Sequence, residues 1–198
     1  MGPCRVGCLL LALVFFAASV CVQGQQPFVR GSDVSFTIRT DHNRYQVGQT
    51  ILIRYTVKNV SNGAFFVPKT QWDVRCGDPP HVWARIEDSS GKHHEPGYGG
   101  SCLGPSLEDR MSLTERMHKD AVLLKPGQSM SGSVTFESKV LGNLKPGSYR
   151  LEAVLYGWGW IRRFSDSELS ELEGMGAPFL LGEAHATSQI ELYDARNP

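Results

Sequence analysis

The chain of 198 residues carries a formal net charge of zero, with 41% hydrophobic and 20% charged residues. This is ordinary globular composition, with apolar material enough for one substantial core. Charge balance without a basic run argues against a nucleic-acid partner, because holding a phosphate backbone requires an excess of Lys and Arg on some face.

The first element in chain order is the apolar run Cys8–Ala18, CLLLALVFFAA, which follows Arg5. Its length suits the core of an export signal and is too short for a membrane span. Val22 and Gly24 stand where a signal peptidase wants small residues, so residues 1–24 are expected to be a signal peptide and the mature chain to begin near Gln25. Ala17 and Ser19 offer a second site, whereas a lipid anchor on Cys21 is disfavoured by the branched Val20 before it. The expected location is secreted or periplasmic, with no transmembrane segment left after cleavage. Cys4, Cys8 and Cys21 fall within the signal, which leaves Cys76 and Cys102. An even pair of thiols in an oxidising compartment is expected to form a disulfide. Closing that loop would contribute about 3 kcal/mol if unstrained.

Period-two alternation then dominates. Val34, Phe36 and Ile38 alternate with polar neighbours, as do Ile51, Ile53, Tyr55 and Val57 after the turn residues QVGQ (46–49). The stretch NVSNG (59–63) is turn material, and 64–67 reads as a short strand stopped by Pro68. Val82, Ala84 and Ile86 mark a strand, followed by a loop over 92–105 rich in Gly, Pro, His and Tyr. Residues 106–119 offer a possible helical turn. Met130, Val134 and Phe136 continue the alternation; Tyr149, Leu151, Ala153 and Leu155 form its strongest instance, and Ile190 and Leu192 its last. The tetrapeptide LKPG at 124–127 and again at 144–147 is a tight turn launching a strand each time. Ser165 with Glu168 makes a capping box, and Leu169 with Leu172 gives one apolar stripe, so a short helix is expected over 166–173, stopped by Gly174 and Gly176. Seven or eight short strands with one helical insertion predict an all-β antiparallel sandwich over residues 31–194.

The succession IRYTVKNVSN, VWARIEDSSGK, LLKPGQSMSGSVTFE and LKPGSYRLEAVL, between about Asp33 and Leu155, resembles the immunoglobulin-like sandwich of the bacterial intracellular proteinase inhibitor family. DHNRYQVGQTILIRYTVKN is also similar to the opening of macroglobulin-type domains. The resemblance implies the immunoglobulin-like fold and offers proteinase inhibition as an alternative function. The export signal, the Cys76/Cys102 pair and the insertion after Leu155 depart from that family, and no segment matches an inhibitory loop.

Residues YGWGW (156–160) are the candidate binding segment. If the strand through Leu155 continues unbroken, Tyr156, Trp158 and Trp160 face outward together and form an aromatic platform. Against this stands the reading that a bulge at Gly157 or Gly159 turns the rings inward, or that Leu169 and Leu172 of the helix cover them. Trp72 and Trp83 read as packing near the disulfide. His93, His94 and Glu95 offer a small metal-binding or hydrolytic alternative, but neighbours on an extended chain point apart. The remaining histidines, His185 among them, read as scattered surface residues. Asn59-Val60-Ser61 fits a glycosylation acceptor, although a strand-end turn is the plainer reading. No Gly-x-Ser-x-Gly elbow, H-E-x-x-H, P-loop or dinucleotide fingerprint occurs. The expectation is an exported, non-catalytic binding module without a cofactor, whose partner is a protein or a cell-envelope component.

Overall fold

The computed structural model describes residues 28–69, 82–95, 115, 119–136, 141, 143–158 and 165–195. The expected signal peptide, Trp72, Cys76, Cys102, Trp160 and nearly all of the helical turn proposed for 106–119 lie outside the described residues.

The protein is an all-β sandwich that carries a short helix. Twelve strands occur among the described residues: β1 (Phe28–Val29), β2 (Val34–Thr40), β3 (Arg44–Gln46), β4 (Ile51–Asn59), β5 (Phe65–Pro68), β6 (Val82–Glu87), β7 (His93–His94), β8 (Ala121–Leu124), β9 (Ser129–Phe136), β10 (Gly147–Tyr156), β11 (Phe179–Leu180) and β12 (Glu183–Tyr193). The helix α1 spans Asp166–Glu173. One layer is the three-stranded sheet β2-β4-β9, facing the five-stranded sheet β3-β12-β10-β6-β7. A third sheet, β1-β11-β5-β8, closes one end. The long pairings are antiparallel, while β1 with β11, β11 with β5 and β12 with β3 are parallel.

The alternation that predicts the strands also builds the core. In β4, Ile51, Ile53, Tyr55, Val57 and Asn59 are buried while Arg54 and Lys58 are exposed. Facing them from the five-stranded sheet are Ala84, Ile86, Leu151, Ile190 and Leu192 toward one end. At the other end Val82, Ala153, Leu155 and Ala184 pack with Phe65, Val67, Leu124 and Leu180 of the third sheet. Strands that alternate in this way expose one face and bury the other, so two sheets can share a single interior.

The third sheet is a continuation of the first around a corner. Strands β4 and β9 pair with each other, β5 and β8 pair with each other, and the chain crosses between sheets at 59–64 and again at 125–128. Asn59 joins the two crossings. Its amide nitrogen donates to the carbonyls of Gly63 (2.7 Å) and Leu124 (2.9 Å), and its carbonyl oxygen accepts from the backbone and hydroxyl of Ser61 (both 2.8 Å). Its backbone also bonds to the opposite crossing, N–H to Gln128 and C=O from Gly127. Gly127 holds φ of 77°, which a side chain would strain. Each polar atom of this fully buried residue is therefore occupied.

The helix forms as the capping box predicts. Glu168 Oε2 accepts from the backbone N–H of Ser165 at 2.9 Å, and Ser165 Oγ accepts from Glu168 N–H at 3.4 Å. Its apolar side delivers Leu172, buried, onto Trp158 and Phe179, with Phe28, Phe66, Ala121 and Met175 around them. Phe66 and Phe179 stack at 4.8 Å between centroids. This satellite cluster covers the outer side of the third sheet.

Removing the corner amide takes the side-chain donor from the buried Leu124 carbonyl and the acceptor from Ser61. Asn59→Ala is expected to lower stability by about 2 kcal/mol, measured by urea unfolding. Asn59→Asp sets a carboxylate against two carbonyl oxygens. It should be at least as damaging at neutral pH, and should recover in part on acidification, when the carboxyl becomes a donor. Equal stability of all three proteins would remove Asn59 from its place at the corner.

Candidate functional site

The outer face of the five-stranded sheet gathers charged side chains from three adjacent strands. Register sets them side by side. Arg85 on β6 lies across from Glu152 on β10, Trp83 across from Val154, Val154 across from His185 on β12, and Tyr156 across from Glu183. Arg85 Nε donates to Glu152 Oε2 at 2.6 Å, and His185 Nδ1 meets Glu152 Oε1 at 3.0 Å. The other ring nitrogen of His185 lies 3.4 Å from Glu183 Oε2. One carboxylate therefore ties three strands together, and a second carboxylate brackets the imidazole.

Burial grades across this face. Glu152 is 9% exposed and Val154 2%, whereas the side chains of His185 and Glu183 are about half exposed at 49% and 50%. Burial pushes the Glu152 carboxyl up, but the hydrogen bonds from Arg85 and His185 outweigh it and hold the group below its ordinary range. The Tyr156 phenol is raised, first by its partial burial and then by the charge of Glu183. Glu95, just past β7, acts electrostatically on both Arg85 and Tyr156. Lower on the same face Arg150 pairs with Glu87, and Arg44 pairs with Glu191 at 3.1 Å while lying over the Tyr193 ring.

The aromatic platform is corrected by this geometry. Tyr156 does face outward, half-buried beside Glu183, but Trp158 is 3% exposed and belongs to the satellite cluster under α1. The strand does not continue past Tyr156. At Gly157 the backbone N–H bonds to the Gly182 carbonyl at 2.9 Å, and a Cβ there would lie 2.4 Å from the Leu180 oxygen. That close approach carries the chain off the five-stranded sheet toward β11 and turns the next side chain inward. Trp160 lies outside the described residues.

His93 and His94 point apart, as expected for neighbours on a strand. His93 is exposed, and His94 Nε2 lies 3.0 Å from Asp88 Oδ2. Asp88 Oδ1 accepts from the Ser90 hydroxyl and from the backbone of Ser90 and Lys92. The Ser90 hydroxyl bond, then the His94 contact, hold the Asp88 carboxyl well below the usual carboxylate range. Serine and histidine both bond to the aspartate on different oxygens, so the base is not set on the hydroxyl as nucleophilic catalysis requires. Among the described residues no group of three His, Cys, Asp or Glu side chains gathers to hold a metal, and no helix is long and apolar enough to cross a membrane. The Asn59 amide, buried and bonded to two carbonyls, is not presented as a glycosylation acceptor by the folded protein.

Sequence reasoning missed the Glu152–His185 contact because β12 begins at Glu183, well before the apolar Ile190 and Leu192 that mark it. The inward residues of its first half are Ala184, Ala186 and Ser188, too small to show as a hydrophobic alternation. Parity counted back from Ile190 would have set His185 on the outer face with Glu183 and Thr187.

No family model matches this chain, and no curated protein does. Solved structures similar to it include a β-glucosidase from Erythrobacter marinus, 11% identical, matched over 81% of this chain and 15% of that chain with a TM-score of 0.38. The CARDB domain of a Pyrococcus furiosus protein, determined with di-metal ions, is 12% identical over 81% of this chain and 88% of that chain, with a TM-score of 0.36. The sporulation control protein Spo0M from Bacillus subtilis is 9% identical over 81% of this chain and 49% of that chain, with a TM-score of 0.39. This chain thus spans 15% of the glucosidase. Likeness at this level carries no argument about activity or ligand.

Two outcomes follow from the site. Trp158→Ala should cost about 3–5 kcal/mol, because it empties a packed cluster, and a melting temperature unchanged by the substitution would return Trp158 to the surface. The folded-state depression of Glu152 contributes stability that is present above the ordinary glutamate range and lost as pH falls through the lowered value. The unfolding midpoint should therefore decline on acidification, and Glu152→Gln should be less stable at neutral pH with a shallower acid limb. Parallel pH profiles for the two proteins would contradict this.

Proposed function

We propose that the protein is an exported, non-catalytic binding module whose contact surface is the outer face of the five-stranded sheet. The supporting observation is the half-exposed pair His185 and Glu183 standing beside Tyr156 and next to a nearly buried Glu152 that is paired with the partly exposed Arg85. The base of that surface is fixed by hydrogen bonds across three strands, so a partner meets groups already held in place. With Arg150–Glu87 and Arg44–Glu191 paired off, Glu95, Glu152 and Glu183 outnumber Arg85. An acid-rich surface that also carries imidazole and phenol groups suits a protein or cell-envelope component that presents amines, guanidinium groups or hydroxyl donors. Export would place it where such components lie, and the apolar run at Cys8–Ala18 supports that placement.

The test combines location and surface. The exported protein should be recovered outside the cytoplasm with an N-terminus near Gln25. Immobilised envelope fractions should retain it, and the double substitution Glu183→Lys/His185→Ala should weaken retention about tenfold or more without changing the melting temperature. Retention indifferent to the substitutions, or protein confined to the cytoplasm, overturns the proposal.

A further inference from the structure

Strand β9 differs from every other sheet edge in the described structure. The edges are β1 and β8 in the third sheet, β3 and β7 in the five-stranded sheet, and β2 and β9 in the three-stranded sheet. Strands β1, β3, β7 and β8 have two to four residues each. Strand β2 carries Arg39 and lies alongside β12. Strand β9 runs eight residues, SMSGSVTF, with no charge and no proline, and its register with β4 is unbroken from Ser129 to Phe136. No other described strand pairs with its far side. Proteins ordinarily blunt such an edge with lysine, proline, a bulge or shortness, and β9 uses none of these.

We propose that β9 is a self-pairing edge, which joins a second copy of this chain in an antiparallel, two-fold ladder centred on Gly132. The choice of occupant rests on self-complementarity. Running antiparallel to itself about Gly132, the strand sets Ser131 opposite Ser133 and Ser129 opposite Thr135 on the outer side. On the inner side it sets Met130 opposite Val134. Hydroxyl meets hydroxyl and apolar meets apolar at each of these pairs, and no like charges face each other. Met130 and Val134 pack only partly into the core, so a second copy would complete their burial. At the axis, the residue without a side chain lies beneath the Tyr55 ring, where a Cβ would lie 2.0 Å from the phenol oxygen. The joined sheet would read β2-β4-β9 and then the same order reversed, with about eight added main-chain hydrogen bonds. A chain of zero formal net charge meets no long-range repulsion in forming it. This edge belongs to the sheet opposite the proposed contact surface, so the two proposals stand or fall separately.

Sedimentation of the full exported protein between about 1 and about 100 μM tests the pairing. The wild type should shift from monomer to dimer across that range. Ser129→Glu/Thr135→Glu places carboxylates directly opposite each other at both ends of the ladder and should weaken association at least about tenfold. Ser129→Glu/Thr135→Lys places opposite charges there instead and should restore it. In both variants the acid at 129 faces Lys58 within the monomer, and the exposed residue 135 lies across from Leu52, where it meets no charge directly opposite. Hydrogen exchange on the wild type gives a second reading that needs no variant: protection of the Ser131, Ser133 and Thr135 amides, which point away from β4, should rise with protein concentration. A monomer throughout the range, a dimer indifferent to both double substitutions, or protection of β9 independent of concentration would each overturn the proposal. The last outcome would show the edge covered within its own chain.

Discussion

The corner held by Asn59 is the constraint on which the architecture depends. Strands β4 and β5 run one way across it, and β8 and β9 run back. A two-stranded ribbon that bends from one sheet into another must interrupt its ladder, and interrupted backbone groups inside a protein need partners. The Asn59 side chain supplies two donors and an acceptor at that interruption, while its backbone bonds to the returning strand. An aliphatic residue there would satisfy the alternation of β4 equally well and leave the corner open. The sandwich closes at this end because a polar residue occupies a core position.

That substitution of amide for hydrocarbon also shows what sequence pattern can and cannot convey. Alternation made β2, β4, β6, β9 and β10 legible, since each has apolar inward side chains at most of its every-second positions. The capping box made α1 legible to the residue, because Ser165 and Glu168 bond to each other's backbone regardless of what surrounds them. Strands β1, β3, β7 and β11 are too short to show a period, and their pairing is decided by the sheets they join. The first half of β12 stayed hidden for a different reason: Ala184, Ala186 and Ser188 face the interior where bulky neighbours already fill it, so small residues fit.

The same distinction governs the candidate site. Arg85 and Glu152 were visible as outward-facing residues on two strands, but nothing in either strand says that they adjoin. Register across β6, β10 and β12 makes them neighbours, and register is a tertiary property. Trp158 fails the other way. Local alternation assigns it outward, and the approach of Gly157 to the 180–182 backbone overrides that assignment. A glycine at such a point reports a contact with distant chain, and the sequence does not say which chain.

The two faces of the sandwich are consequently built on opposite principles. On the five-stranded sheet, side chains of opposite sign lock onto one another across strands, and Glu152 is stable in its nearly buried position only because Arg85 and His185 both reach it. Charges fixed in this way give that face a definite electrostatic pattern. On the three-stranded sheet the exposed row of β9 is hydroxyl-bearing and neutral, and its chemistry resides in the main chain. A face defined by side-chain charge discriminates among partners, whereas an edge defined by backbone groups discriminates mainly by strand length and side-chain volume. The proposed contact surface and the proposed pairing edge therefore lie on different sheets.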